Sequence, residues 1–189
     1  MNSDNLQNVL KLCHATFDYE ENGWSNLNTL VDAVAEITPK DLDLHERIQN
    51  FQRMNGWDCQ EIYHSDHFHI SLLLVPAGGR IPLHDHPSMC VISRTLWGHL
   101  RYEAWDWATN YPMSGLVRKN LDLMTNGASK PLVLFPRYCN LHTIHAEDTA
   151  AFLDIFSPWY DEKRVCTYYK LEPEVLINGE WLNRVTAIP

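Results

Sequence analysis

Two textures divide the chain. Up to about residue 55 the apolar positions recur at helical spacing. Leu6, Val9, Leu10, Cys13 and Phe17 form one stripe, and Leu27, Leu30, Val31, Val34 and Ile37 form a second. Ser3 or Asp4 can cap the first helix. Thr38-Pro39 should stop the second, because proline disfavours helix in the residue before it. Asp41 to Met54 allows a further short helix or turn. Such stripes bury their apolar face against a neighbouring layer, so residues 1–55 are expected to form a helical cover.

From about Trp57 the period shortens. Phe68–Val75, Cys90–Leu96, His99–Trp105, Leu132–Phe135, Ala151–Phe156 and Arg164–Leu171 read as short strands. Turn residues separate them at Ala77-Gly78-Gly79, Trp97-Gly98, Asn110-Tyr111-Pro112, Asn126-Gly127 and Asn178-Gly179. Many short strands at this spacing predict an antiparallel sandwich or barrel. No repeat, low-complexity tract or linker interrupts them. The expected organisation is a single domain over 1–189, with the helical cover at 1–55 and a β-barrel at 56–189.

Composition narrows the function classes. The 189 residues carry a formal net charge of -9, against the basic face that a nucleic-acid binder or an anionic-membrane binder would show. No run of about 18 apolar residues is present to span a bilayer. Met1 to Gln7 lacks the basic start and apolar centre of a signal peptide. Five cysteines (Cys13, Cys59, Cys90, Cys139, Cys166) form an odd, scattered set without a CxxC pair. They predict reduced thiols and a cytoplasmic setting, the nucleus also being admissible, rather than a disulfide framework or a structural zinc site.

The ten histidines carry more information. In a strand, alternate side chains share a face, so His84 and His86 of Pro82-Leu83-His84-Asp85-His86-Pro87 could grip one ion while Asp85 faces away, unless a bulge intervenes. Gly78 and Gly98 complete a G-x5-H-x-H-x11-G pattern, which resembles the first signature of the cupin superfamily. That signature carries a glutamate ligand where this chain has Val91, so an all-histidine site is expected. Pro136 to His142 fits the second cupin signature loosely, with Cys139 in place of a glycine. Strand alternation allows His142 or His145 inside, not both, and does not choose between them. Three imidazoles leave open coordination positions and suit iron(II) or zinc. His67 and His69 also share a face upstream, with no further partner evident for a second metal.

Four ordered motifs extend the resemblance. They are Ile81 to Pro87, Asn140-Leu141-His142, Ala150 to Asp161, and Cys166-Thr167-Tyr168-Tyr169. Together they resemble the cupin thiol dioxygenases grouped as cysteamine (2-aminoethanethiol) dioxygenase and plant cysteine oxidase. The resemblance implies a monomeric double-stranded β-helix, or jelly-roll barrel, with Fe(II) on His84, His86 and His142. It implies insertion of both atoms of O2 into the thiol of cysteamine or of a polypeptide's amino-terminal cysteine, giving a sulfinic acid and serving oxygen sensing in the latter case. A non-catalytic metal-binding cupin, or a three-histidine cupin oxygenase for another small molecule, is the alternative.

Further residues follow from the motifs. Asp154 lies in an apolar strand with Phe152 and Phe156 on its face, where a carboxylate is costly unless bonded. It reads as an acid serving the site or as a buried acid paired with arginine or backbone. The resemblance favours the first and implies a pocket role for Tyr160. It also makes a Cys166–Tyr168 thioether conceivable, although a plain core cysteine is the expectation. Ser88 stands where the family has a glycine, so the pocket shape near the metal is expected to differ. Trp97, Trp105, Trp107 and Trp159 are expected in the core and rim.

Overall fold

The structure, a computed structural model, describes residues 3–18, 25–51, 56–108 and 114–188. Among these, three α-helices precede eleven strands. Helix α1 (Asp4–Phe17) starts at Ser3, whose hydroxyl accepts from the Leu6 N–H at 3.1 Å. Helix α2 (Leu27–Ala35) stops ahead of Thr38-Pro39. A 3-10 turn (Pro39–Leu42) follows, closed by a reciprocal Thr38–Asp41 capping box. Helix α3 (Leu44–Phe51) completes the cover. The expected extension over residues 52–54 lies outside the described residues.

The strands are β1 (Asp58–His64), β2 (His69–Val75), β3 (Arg80–His84), β4 (Cys90–Trp97), β5 (His99–Trp107), β6 (Ser114–Asn126), β7 (Leu132–Leu134), β8 (Leu141–Ala146), β9 (Ala150–Ser157), β10 (Tyr169–Ile177) and β11 (Glu180–Ala187). One sheet runs β1-β2-β9-β4-β7 and the other β10-β11-β6-β5-β8-β3. The pairing is nested: β5 with β6, β4 with β7, β3 with β8 and β2 with β9, all antiparallel. The chain therefore runs out along β2–β5 and returns along β6–β9, wound over two sheets. This is the eight-stranded jelly roll, or double-stranded β-helix, expected from the sequence. Strand β1 extends one sheet, and the β10–β11 hairpin extends the other through β11 and β6.

Two turn signals have identifiable reasons. Asn178 and Gly179 both sit at positive φ (51° and 85°), the backbone that a two-residue type I′ hairpin demands. Gly98 has φ 69°, and a Cβ there would meet the Thr149 carbonyl oxygen at 2.5 Å. The Asn110-Tyr111-Pro112 turn lies outside the described residues. The strand expected over Arg164–Leu171 begins only at Tyr169, because Asp161 and Arg164 close a tight turn that the Asp161 carboxylate stabilises through the Lys163 and Arg164 N–H groups, 2.8 Å each. Strand β6 escapes a pattern reading because Arg118, Lys119 and Asp122 give it the polarity of a loop, while Val117 alone of its described side chains joins Thr125 in full burial.

Helices and barrel share a core. Leu6, Val9, Leu30, Val34 and Phe51 pack with Phe68, Ile70, Leu72, Leu153 and Ile155 on the outer face of the first sheet. Arg94, nearly buried, donates to the carbonyls of Gly127 and Ser129 and, at 3.4 Å, to Ala35 at the end of α2, joining cover to barrel. The other face of this sheet looks into the barrel. Its registers set rows of Leu73, Phe152 and Thr95, then Ser71, Asp154 and Ser93, then His69, Phe156 and Val91. No helix among the described residues is long and apolar enough to cross a membrane.

Phe68 joins both layers, fully buried against Phe17, Tyr63 and His14. Phe68→Ala should lower the unfolding free energy by about 3–5 kcal/mol, the usual cost of an emptied aromatic site. Urea denaturation followed by circular dichroism measures it, and a loss below about 1 kcal/mol would show that the cover is not cooperatively joined to the barrel.

Candidate metal centre

The centre forms where β3 and β8 meet. Register sets His84 opposite His142, and His142 opposite Ala104 on β5, so both imidazoles enter from one sheet. His86 arrives differently from the strand alternation expected of it. Strand β3 ends at His84, and His86 lies in the loop beyond. There the Asn140 side chain takes the place of a strand partner: its Oδ1 accepts from the His86 N–H at 3.0 Å and its Nδ2 donates to the His86 carbonyl at 2.7 Å. Asp85 fixes the same loop from the other side. Its carboxylate accepts from the Thr167 N–H and the Tyr169 hydroxyl, both at 2.9 Å, while its own N–H donates to the Thr167 carbonyl. Asn140 from outside the motif and Asp85 from within it thus anchor the histidine loop to distant parts of the chain.

The three rings converge. Their centroids lie 4.4 Å (His84–His142), 4.9 Å (His84–His86) and 5.0 Å (His86–His142) apart, and one nitrogen of each falls within 4.8 Å of the others. All three are buried. The outward nitrogens are engaged: His84 Nδ1 with the Pro82 carbonyl at 2.8 Å, His86 Nδ1 with the Tyr160 hydroxyl at 2.6 Å, and His142 Nδ1 with the Asn140 carbonyl at 3.4 Å. That leaves the Nε2 atoms facing the shared space. Burial lowers the basicity of each imidazole, well below the ordinary histidine value for His86 and His142, where neighbouring histidines add to the effect. Three neutral rings with inward lone pairs are a metal donor set. The His86 Nε2 atom is buried without a hydrogen-bond partner, a cost that a bound cation would offset. The residues present therefore fit a metal.

The other candidates fall at different places. His145 turns out of the barrel, with its side chain 40% exposed and its Nδ1 3.6 Å from Glu147, which leaves His142 as the residue of the pair that faces inward. Val91 is buried on the inner face of β4, so no carboxylate occupies that position. Tyr160 stands behind His86 rather than in the space between the rings: with His86 Nδ1–H donating to it, its O–H donates to the Asp85 carbonyl at 3.2 Å. Burial, followed by the Cys166 thiol, pushes its phenol well above the ordinary tyrosine value, so it stays protonated. Cys166 is not the core cysteine expected. It is half-buried ahead of β10, within hydrogen-bonding reach of Tyr160 and Tyr168. Trp105 is in the core, its Nε1 donating to Asn183 at 3.0 Å, while Trp97 is exposed and Trp107 and Trp159 are half-buried. Asn140 has no role in the pattern reading, although it stands in a quoted motif. An Asn two residues before a candidate ligand was the available signal.

Asp154 enters the barrel between Ser71 and Ser93 and hydrogen-bonds the Ser93 hydroxyl, not an arginine. Its Oδ1 is buried with no partner. Burial pushes its carboxyl up to about 7, against a smaller pull downward from Ser93. Phe156, its neighbour on the same face, stacks on His86 with centroids 5.4 Å apart. A cleft of about 550 Å³ adjoins the centre, lined by Asp85, Pro87, Ser88, Trp107, Arg137 and Asn140 among others. The residues flanking the histidines form its wall, and the histidines themselves do not line it.

Comparison with known proteins adds the following. The PCO_ADO family model matches residues 33–184. Plant cysteine oxidase 1 of Arabidopsis thaliana is 27% identical over 158 residues, 76% of this chain and 54% of that protein. The 2-aminoethanethiol dioxygenase of Homo sapiens is 30% identical over 181 residues, 78% of this chain and 66% of that protein. The chain thus spans between half and two thirds of these relatives' lengths. Among solved structures, a Klebsiella pneumoniae protein described as having a double-stranded β-helix domain aligns at 10% identity and TM-score 0.47, over 64% of this chain and 87% of that one.

Two predictions follow from the geometry. Tyr160→Phe removes the partner of His86 Nδ1, and the affinity for a divalent metal ion, measured by competition with a chelator, should fall roughly 10–100-fold. Unchanged affinity would mean that packing alone holds the ring. The second concerns pH. The folded-state pKa of Asp154 is raised, so native protein holds a proton that unfolded protein has lost between about 3.8 and 7. Its contribution to stability is complete below that window and is lost as pH rises through it. Asp154→Asn should therefore gain on the parent by on the order of 2–3 kcal/mol between pH 5 and pH 8.5 in urea unfolding of the metal-free protein. A pH-independent difference would contradict a buried, proton-holding carboxyl.

Proposed function

The chain belongs to the PCO_ADO family, and from that premise we propose that it is an iron(II)-dependent thiol dioxygenase. The observation that carries the proposal is the buried cluster of three neutral imidazoles, His84, His86 and His142, with an orphaned nitrogen at its centre. In this reading the three histidines hold the iron and no carboxylate joins them. Bound iron(II) would supply the redox chemistry that joins dioxygen to sulfur. The overall reaction balances without a further reductant: R–SH and O2 give R–SO2H, with sulfur oxidised by four electrons and both oxygen atoms retained.

The protein's own groups have separate tasks. The Nδ1 contacts to Pro82, Tyr160 and Asn140 fix each ring's tautomer, so that every inward lone pair is presented without reorganisation. Burial excludes competing solvent donors. Asp154, whose carboxyl burial pushes up to about 7, holds its proton on the inner face of the same strand as Phe156, the residue that stacks on His86, and can serve as an acid inside the barrel. The substrate class follows from the relatives, which are named for cysteine and 2-aminoethanethiol. The cleft of about 550 Å³ opens beside the histidines rather than onto them and has room for the chain that follows an amino-terminal cysteine. Oxidation of such a terminus would report oxygen to the cell, in the cytoplasm or nucleus.

Incubation of the iron-loaded protein in air with cysteamine, and separately with a Cys-initiated peptide, tests the reading by product mass. The expected product gains two oxygen atoms, the peptide reacting faster, and His142→Ala should lower the rate at least roughly 100-fold. Iron retention without a mass gain on either thiol would instead mark a non-catalytic metal-binding barrel.

A further inference from the structure

The hairpin from β1 to β2 carries a second group of metal-binding side chains. Its loop, residues 65–68, is closed by Ser65: the Ser65 N–H donates to the Phe68 carbonyl at 2.9 Å, and the Ser65 hydroxyl accepts from the Phe68 N–H at 3.1 Å. The first pair beyond the loop is His64 opposite His69. Cross-strand partners lie face to face, and here the two Nδ1 atoms stand 3.2 Å apart. His67, which the alternation paired with His69, is in the loop itself and exposed, and does not join the group.

We propose that Glu61, His64 and His69 form a second cation site, for a zinc-class divalent ion with a coordination position open to solvent. Three observations carry it. Glu61 and His64, three apart, should fall on opposite faces of a straight strand. A bulge between Glu61 and Tyr63 shifts the register and brings the carboxylate round to the imidazoles. The three donor atoms then lie within 4.8 Å of one another, with Glu61 Oε2 3.8 Å from His69 Nδ1. Two nitrogens on one tetrahedral zinc at 2.0–2.1 Å must be about 3.3–3.4 Å apart, so the imidazole pair is already close to the required spacing. Glu61 is exposed and free to swing the remaining distance.

The pair is also held in place, as ligands are. His69 Nε2 bonds the Ser71 hydroxyl at 2.7 Å, which leaves Nδ1 for a metal. Trp159 stacks on His69 with centroids 5.4 Å apart and meets His64 edge-on at 4.2 Å. Two imidazoles and one carboxylate with a free fourth position is a donor set that zinc accepts. The location gives the site its interest. Trp159 adjoins Tyr160, the partner of His86, and the Phe156 ring stands 6.2 Å from His69 and 5.4 Å from His86. An ion at the rim would therefore bear on the segment that backs the buried centre.

The site stands apart from the dioxygenase reading and is tested without turnover. Zinc titration by calorimetry, with metal content read by mass spectrometry, is made on the full chain carrying His142→Ala, which disables the buried cluster. One zinc per chain is expected at the rim. Adding His64→Ala should weaken it roughly 100-fold or more, since even the loss of a ligand's outer partner costs 10–100-fold. Adding Glu61→Gln, an exposed change that leaves the fold intact, should weaken it less. Adding His67→Ala should leave it unchanged. Absence of zinc binding in His142→Ala, or binding indifferent to both His64→Ala and Glu61→Gln, would overturn the proposal and leave a hydrogen-bonded histidine pair.

Discussion

The buried histidine cluster depends on the way Asn140 and Asp85 hold the loop that carries His86. A strand would present His84 and His86 on one face through alternation, but β3 ends at His84, and beyond it the backbone needs other partners. The Asn140 amide supplies both a donor and an acceptor to His86, as a neighbouring strand would. The Asp85 carboxylate draws in Thr167 and Tyr169 from beyond the last barrel strand. Without these contacts, a loop containing two polar groups per residue would not stay in a dry interior, and the third imidazole would have no fixed direction.

The winding of the chain explains why such distant residues meet. Nested pairing makes β3 the partner of β8, so the Pro82–Pro87 and Asn140–His142 motifs are neighbours although β4 to β7 intervene. The same nesting brings β9 between β2 and β4, which places Asp154 between two serines and Phe156 against His86. One central strand thus supplies both an acid and an apolar wall. Both are inward residues of the same pleat, which is why they come two apart in sequence.

Much of this was legible in the residues. The helical stripes and the strand-and-turn rhythm each rest on a local period that folding preserves, and the HxH pattern names the right residues even though its second histidine leaves the strand. What was not legible depends on departures from period. His86 reaches its place through a side-chain clamp rather than strand geometry. Strand β6 hides behind a charged outer face. Glu61 and His64 share a face only because of a bulge, and His64 meets His69 only because a four-residue loop turns between them. Cys166 does lie within reach of Tyr168, but from a loop ahead of β10 rather than from a strand face, and the same loop brings the thiol near Tyr160. Alternation cannot foresee any of these, since each breaks it.

The two histidine groups show how depth changes the chemistry of one side chain. In the barrel, desolvation favours the neutral form of His84, His86 and His142, and His86 Nε2 is buried without a hydrogen-bond partner, so a cation would offset the cost of that lone pair. A metal held there would meet only what the protein admits. At the rim, Glu61 is open to solvent while His69 is only half-buried, so a cation would keep water ligands and exchange with the medium. Affinity and accessibility are therefore opposed in the two places. Trp159 and Tyr160, adjacent in sequence, each touch a different group. A shift of the backbone they share would reach both groups, although each side chain can still rotate on its own.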